Sequence, residues 1–196
     1  LMEKETGTVL FAKDEHAKLE PASVTKVMTL LLTMEAIDAG QLHYDDVVTA
    51  SAHACSMGGS QIWLKENEQM TVSDMLKAVC VVSANDCAVA LAETVAGSEE
   101  AFTALMNEAA KKLGMKNSHF MNATGMPDPQ HYMSPHDIAL LARALIDEFP
   151  QFYKIYSEKE YVFNGIRQPN RNRLLWLDSS VDGIKTGHTA SAGYCL

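Results

Sequence analysis

Apolar residues recur at intervals of three and four along several stretches of the chain, which is the spacing expected when one face of a helix is buried. The clearest stretch runs from Val27 to Ile37 and is followed by Gly40, a residue that commonly ends helices. Another begins at Ser134-Pro135-His136-Asp137, where serine suits the cap and proline the first helical position. The predicted helices cover residues 24–39, 72–82, 86–95 and 99–113, with a further one from Ser134 onward.

Shorter apolar runs predict strands, mainly towards the two ends of the chain. Gly7 suits the turn before the first of them, because glycine adopts a positive φ at little cost. The order of elements is a short strand, a helix-rich middle and then strands. It predicts an α+β fold in which the first strand pairs with the late ones and helices pack on the sheet. The predicted strands cover residues 8–11, 47–49, 161–163 and 183–196.

The composition is that of an ordinary globular protein, with 47% hydrophobic and 21% charged residues among 196. Sixteen basic and 25 acidic residues give a formal net charge of −9. Such an acidic surface argues against a nucleic-acid partner, which requires a basic face, but leaves room for a local cationic pocket. No apolar run approaches the ~18 residues of a membrane-spanning helix.

The cysteines and histidines show no pattern of a metal centre. The four cysteines form no C-x-x-C pair, and Cys80 and Cys87 lie in apolar stretches, where buried thiols are expected. His119 and His131 lack the helical pairing and the third ligand of a metal site. We therefore expect neither a metal nor another cofactor.

The motif Ser23-Val24-Thr25-Lys26 stands at the start of the first predicted helix. Ser23 and Lys26 are three residues apart and share one helix face. A serine hydroxyl becomes a nucleophile when a base takes its proton, and a lysine is such a base if burial or another cation lowers its pKa. Taken alone, the motif is more often a capping serine beside a solvated lysine.

A second motif, Ser83-Ala84-Asn85, lies in the break between two predicted helices. There a serine hydroxyl can relay a proton and an asparagine amide can hold a substrate carbonyl in the same cleft. Both residues are also ordinary caps for the helix that follows.

The third motif, Lys185-Thr186-Gly187-His188-Thr189, lies on a predicted late strand. Alternation along a strand places Lys185 and Gly187 on one face, where the missing side chain of glycine leaves room for a ligand backbone. Lys185, with a hydroxyl such as that of Thr189, then offers a site for a carboxylate. An exposed strand with a solvated lysine is the ordinary alternative.

The three motifs each occur once, in this order, 60 and 102 residues apart. Together they match the S-x-x-K, S-D-N and K-T-G set of penicillin-binding proteins and serine β-lactamases. Further segments resemble the low-molecular-mass penicillin-binding proteins that are D-alanyl-D-alanine carboxypeptidases. These segments are residues 21–26, 117–125, 163–168, 170–172, 181–189 and 192–194.

The resemblance implies a penicillin-binding, serine β-lactamase-like α+β fold. It implies one catalytic domain over residues 1–196, incomplete at its C-terminus, with a helical subdomain inserted at roughly residues 45–150. Both ends of the chain read as interrupted strands. We therefore expect a longer natural protein that is exported by a signal peptide and held at the membrane surface by a C-terminal anchor.

The resemblance also implies the reaction, removal of the terminal D-alanine from peptidoglycan stem peptides through an acyl-enzyme, and acylation by β-lactam antibiotics. Its catalytic residues are Ser23, Lys26 and Ser83. The residues implied for substrate binding are Asn85, Arg171, Lys185, Thr186, Gly187, His188 and Thr189.

Three other functions stay open. A class A-like β-lactamase needs a glutamate-bearing loop, and the comparable stretch here, residues 119–125, contains no glutamate. A D,D-endopeptidase would share every residue named. A non-catalytic module that binds β-lactams or peptidoglycan is disfavoured by the intact Ser23, Lys26, Ser83 and Lys185.

Overall fold

The computed structural model describes all 196 residues, and its centre is a helix that is buried on nearly every side. Helix α1 (Lys26–Asp38) buries ten of its thirteen residues and packs against α4 (Asn85–Ala96), α5 (Glu99–Lys112) and α6 (Pro135–Glu148). A helix that is apolar all round can be stable only inside a core, which explains its central place. The other helices are α2 (Ala52–Cys55), α3 (Val72–Val82), α7 (Pro150–Tyr153) and α8 (Leu174–Leu177), with 3₁₀ turns at Ala22–Thr25 and Lys154–Ser157.

The helix predictions are confirmed with small shifts at the ends. The predicted helix at residues 24–39 opens with the 3₁₀ turn Ala22–Thr25 before α1 begins. The break between α3 and α4 falls where it was predicted, because Ser83 adopts a left-handed conformation with φ of 65°. The Ser134 hydroxyl accepts the backbone N–H of Asp137, so the predicted cap of α6 is also confirmed.

Six strands form three separate antiparallel pairs. β1 (Val47–Thr49) pairs with β2 (Gln69–Thr71), placing Val48 opposite Met70. The other two pairs are hairpins, β3 (Glu160–Phe163) with β4 (Ile166–Pro169), and β5 (Gly187–Thr189) with β6 (Gly193–Cys195).

The predicted strand at residues 8–11 is wrong, and so is its pairing with the late strands. Gly7, at φ of 72°, turns the chain back on itself, and the Glu3 carboxylate holds the turn by accepting the N–H and hydroxyl of Thr6. Within residues 1–11 the only strand-like pairing is an isolated bridge between Met2 and Val9. The late strands pair with each other, and the predicted strand at 183–196 is two short strands because the chain turns between them.

The prediction of two buried thiols is confirmed. Cys80 and Cys87 are buried free thiols. Met28, Met34 and Met106, which lie in helices, are buried as well. No helix has both the length and the apolar character needed to cross a membrane. The proposed helical subdomain at roughly residues 45–150 stays a prediction.

A loop over residues 122–126 closes onto the 3₁₀ turn that carries Ser23. The Asn122 side-chain oxygen accepts the backbone N–H groups of Thr124, Gly125 and Met126. Gly125 has φ of 84°, and a Cβ on it would lie 1.8 Å from the carbonyl oxygen of Ala22. Only glycine fits this contact, so the loop and the turn are held at a fixed separation.

We predict that Gly125→Ala destabilises the fold by ~2 kcal/mol more than Gly114→Ala, since overpacking in a fixed contact typically costs 1–3 kcal/mol. Gly114 is the matched control, because it has a similar φ of 75° but nothing within 4 Å of an added Cβ. In both variants the new alanine is strained by its positive φ. Only in Gly125→Ala does the added Cβ collide with the Ala22 carbonyl. Urea unfolding measures the difference. Equal destabilisation of the two variants would show that the contact with Ala22 is soft.

Candidate active site

Ser23 and Lys26 meet at the junction between the 3₁₀ turn and α1. The three-residue spacing brings the Lys26 Nζ to 2.9 Å from the Ser23 Oγ. The same Nζ donates to the carbonyl oxygen of Thr124 at 2.7 Å. Lys26 is fully buried, whereas Ser23 is partly exposed. The amine is thus held from within the protein against a hydroxyl that substrate can reach.

The Lys26 amine is set up to act as a base. Burial lowers the pKa of Lys26 well below its usual range, and the positive charges of Lys185 and Arg171 lower it further. A neutral amine that donates one hydrogen to Thr124 keeps a lone pair that can accept the Ser23 proton. The condition that the sequence motif required, a lysine with a depressed pKa, is therefore met.

Ser83 and Asn85 flank the break between α3 and α4. Asn85 is anchored twice, because its backbone N–H donates to the Ser60 carbonyl at 2.7 Å and its Nδ2 donates to the Gly58 carbonyl at 2.7 Å. By contrast, the Ser83 Oγ and the Asn85 Oδ1 are buried without a hydrogen-bond partner. Buried polar atoms are normally paired, so these two are candidates for contacts with a ligand.

Lys185 lies just before β5 and is 2% exposed. Its Nζ donates to the carbonyl oxygen of Thr186 at 2.8 Å. Burial lowers the pKa of Lys185 to about 7, with a further lowering from Arg171 and an opposing effect from Cys80. A second buried lysine without a carboxylate partner therefore stands near the first.

β5 runs against the turn that carries Ser23. A Cβ on Gly187 would lie 2.9 Å from the backbone nitrogen of Ser23, so only glycine allows this approach. Next along the strand, the exposed His188 ring packs on Tyr194, with 4.4 Å between centroids. The half-buried Thr189 accepts the N–H of Ala192 through its hydroxyl. The strand thus presents its backbone, rather than the His188 ring, to the turn.

Arg171 connects two of the motifs. Its Nε donates to the carbonyl oxygen of Val82 at 3.2 Å, next to Ser83, while the rest of the side chain is exposed. Its charge acts on both Lys26 and Lys185. The structure thus places the predicted site residues on three elements that converge, and their individual roles stay predictions.

Several supporting groups have no motif of their own. The Thr124 carbonyl holds Lys26, and a backbone acceptor of this kind leaves no signature in side-chain patterns. Behind the turn, His131 is buried and its Nδ1 accepts the Met121 N–H, so its Nε2 carries the proton that is donated to the Thr25 Oγ1 at 2.8 Å. Burial lowers the pKa of His131 to about 4, and the ring stays neutral. The segment at residues 117–125 was the only sequence sign of this support.

A buried carboxylate holds the loop that lies beside Asn85. Asp86 accepts the backbone N–H groups of Ile62, Leu64 and Cys87. Burial raises its pKa, which these hydrogen bonds partly offset. The loop that carries Gly58 and its neighbours is therefore tied to the N-terminus of α4, next to Asn85.

Comparison with known proteins agrees with this geometry. All of residues 1–196 match the family model described as Peptidase_S11, D-alanyl-D-alanine carboxypeptidase. The D-alanyl-D-alanine carboxypeptidase DacF of Bacillus subtilis is 46% identical over 100% of this chain and 51% of its own length. The chain thus spans about half the length of the curated relatives it matches.

Solved structures show the same similarity. The D-alanyl-D-alanine carboxypeptidase DacD of Francisella tularensis superposes with a TM-score of 0.97 at 35% identity, covering 100% of this chain and 60% of that one. Penicillin binding protein 6B of Escherichia coli gives 0.94 at 42% identity, covering 98% of this chain and 63% of that one. The predicted α+β penicillin-binding fold is therefore confirmed.

We predict that Lys185→Met is more stable than the wild type at pH 6 and that this advantage shrinks by about 3 kcal/mol between pH 6 and pH 9. The folded-state pKa of Lys185 lies near 7, below its unfolded value of 10.5. The folded state therefore loses its proton first as pH rises, and the cost of burying the charge fades above pH 7. Urea unfolding across this range measures the effect.

Lys111→Met is the matched control, because Lys111 is exposed on α5. Its difference from the wild type should not vary with pH. An advantage of Lys185→Met that stays constant from pH 6 to pH 9 would mean that Lys185 does not titrate in this range.

Proposed function

Since the chain belongs to the D-alanyl-D-alanine carboxypeptidase family, we propose that it carries the acylation site of a serine-type carboxypeptidase that removes the terminal D-alanine from peptidoglycan pentapeptides. The observation that carries this proposal is the 2.9 Å contact between the fully buried Lys26 amine and the Ser23 hydroxyl. It pairs a nucleophile with its base and leaves the hydroxyl accessible. Proton transfer from Ser23 to Lys26 and attack by the Ser23 oxygen require neither a metal nor another cofactor.

Acylation begins at Ser23. The neutral Lys26 amine takes the Ser23 proton while the oxygen attacks the carbonyl between the two D-alanines. The developing oxyanion accepts hydrogen bonds from the backbone N–H groups of Ser23 and His188, a type of contact usually worth several kcal/mol in the transition state. The close approach of Gly187 to the Ser23 nitrogen supports this, because it brings the two backbone segments side by side.

The two polar residues at the break between α3 and α4 act on the leaving group and on the peptide. The Ser83 hydroxyl passes a proton to the amine of the departing D-alanine, and the Asn85 amide orients the peptide. Both roles are supported by the side-chain oxygens that have no partner within the protein, Ser83 Oγ and Asn85 Oδ1. A substrate N–H or a relayed proton satisfies them when the peptide binds.

The substrate carboxylate binds to the cationic side of the cleft. Lys185 supplies the charge, with Thr186 next to it in the chain and Thr189 at the end of β5, and Arg171 adds a second positive group. Gly187 leaves room for the peptide backbone. A bound carboxylate also stabilises the protonated form of Lys185, whose pKa is about 7 in the free protein.

Lys26 then activates a water molecule that hydrolyses the acyl-enzyme and releases the shortened peptide. β-Lactams are partners of the same site, because they mimic the terminal dipeptide and acylate the same serine. This proposal agrees with the name of the similar Escherichia coli protein, a penicillin binding protein. The substrate places the reaction outside the cytoplasm, at a membrane surface reached through an anchor.

The endopeptidase and β-lactamase alternatives differ in substrate rather than in site. A D,D-endopeptidase cuts cross-linked dimers, and a β-lactamase turns over penicillin faster than it releases D-alanine. The stretch comparable to a class A deacylation loop contains Thr124, whose carbonyl is occupied by Lys26, and no glutamate. This favours slow deacylation of penicillin, and hence the carboxypeptidase.

We predict that labelled penicillin adds covalently to the full-length protein and that Ser23→Ala abolishes the adduct, because only Ser23 touches a buried neutral amine. Intact-mass spectrometry measures the adduct. Ser180→Ala is the control, since Ser180 is an exposed serine hydrogen-bonded to Asp178. A full adduct on Ser23→Ala would overturn the nucleophile. D-alanine release from a D-Ala-D-Ala peptide that exceeds penicillin hydrolysis would support the carboxypeptidase.

A further inference from the structure

Two of the eleven methionines are exposed, and they offer the same area to solvent. Met121 and Met126 are each 40% exposed, on the same loop. Exposed methionines are the ones that peroxides oxidise to the sulfoxide, a change that turns an apolar sulfur into a polar group. The two residues are therefore equally exposed, and they differ in what they touch.

Only Met126 contacts a proposed site residue. The Asn85 Nδ2 donates towards the Met126 Sδ at 3.8 Å and towards the Gly58 carbonyl at 2.7 Å. A Cβ on Gly59 would lie 2.9 Å from the Asn85 Nδ2 and 3.8 Å from the Met126 Sδ. The sulfur, the amide and Gly59 thus share a crowded wall beside the Asn85 Oδ1, which has no partner.

The backbone of Met126 is fixed on both sides. Its N–H donates to the Asn122 Oδ1 at 3.1 Å, and its carbonyl accepts from the Asn122 Nδ2 at 3.0 Å. Next to it, Gly125 is wedged against Ala22. These contacts hold the Met126 backbone beside Asn85, so the sulfur stays within reach of the Asn85 amide.

We propose that Met126 is an oxidation site through which peroxide weakens substrate binding at Asn85, an inference that rests on the proposed function. The Met126 sulfur attacks one oxygen of hydrogen peroxide, the O–O bond breaks, a sulfur–oxygen bond forms, and water leaves after proton transfer. Sulfur loses two electrons and the peroxide gains them. The new oxygen fills the space between sulfur and Nδ2 and accepts the Asn85 amide far more strongly than a thioether. This pulls the amide out of the position that orients the peptide.

The experiment compares wild type, Met126→Leu and Met121→Leu as full-length proteins, each before and after hydrogen peroxide, using a D-Ala-D-Ala peptide. Each variant serves as its own reference. Peroxide should raise KM about 3- to 10-fold in the wild type and in Met121→Leu, with a smaller change in kcat, and should leave the KM of Met126→Leu unchanged. Peptide mapping locates the added oxygen.

Two further measurements separate the sulfur from other causes. Methionine sulfoxide reductase should restore KM, whereas dithiothreitol, which reverses reversible thiol oxidation at the partly exposed Cys55 and Cys195, should not. The side-chain amide signal of Asn85 in NMR should shift on oxidation of the wild type but not of Met126→Leu. The NMR readout needs no turnover, so it distinguishes failure of this proposal from failure of the proposed enzyme activity.

An equal loss in wild type and Met126→Leu would overturn the proposal. So would complete oxidation of Met126 without a change in KM or in the Asn85 amide signal.

Discussion

The arrangement of the site depends on one buried contact, in which the Lys26 amine lies between the Ser23 hydroxyl and the Thr124 carbonyl. An amine inside a core is costly when it is charged, so burial itself produces the neutral base that the chemistry requires. Lys26 is the first residue of α1, the most buried helix. The packing of α1 against α4, α5 and α6 offsets the free-energy cost of burying the amine. Stability and reactivity are thus set by the same placement of one side chain.

The sequence predicted the parts of this arrangement that follow local rules. Helical spacing placed Lys26 on the same face as Ser23, and the interrupted pattern at residues 83–85 located a break that Ser83 makes with its left-handed conformation. It did not predict the Thr124 carbonyl or the wedge of Gly125 against Ala22, because backbone acceptors and close approaches between distant segments leave no periodicity. The prediction of a strand at residues 8–11 was wrong for a related reason. The alternation of apolar and polar residues does not distinguish a strand with a distant partner from a local turn, here held by Glu3.

The two walls of the cleft are held by the partly buried Asn122 and the buried Asp86, which tie loops, rather than by a continuous sheet. The Asn122 side-chain oxygen accepts three backbone N–H groups of the loop that contacts Lys26. Asp86 accepts the N–H groups of Ile62 and Leu64, from the loop that contacts Asn85, and that of Cys87 in α4. Loops tied in this way lose little further entropy when a ligand binds, which favours a site formed in advance.

The chain carries a formal net charge of −9, whereas the site contains three basic residues. The positive charges of Lys185 and Arg171 act on Lys26, that of Arg171 also acts on Lys185, and none of the three forms an ion pair with a carboxylate. Burial is the largest cause of the lowered pKa of Lys26, and the positive charges of Lys185 and Arg171 lower it further. In the proposed function, a substrate carboxylate that binds at Lys185 offsets part of this positive charge. The charges of Lys185 and Arg171 thus act on the Lys26 amine and, in the proposed function, also attract the substrate carboxylate, so a change of charge at either residue alters both properties together.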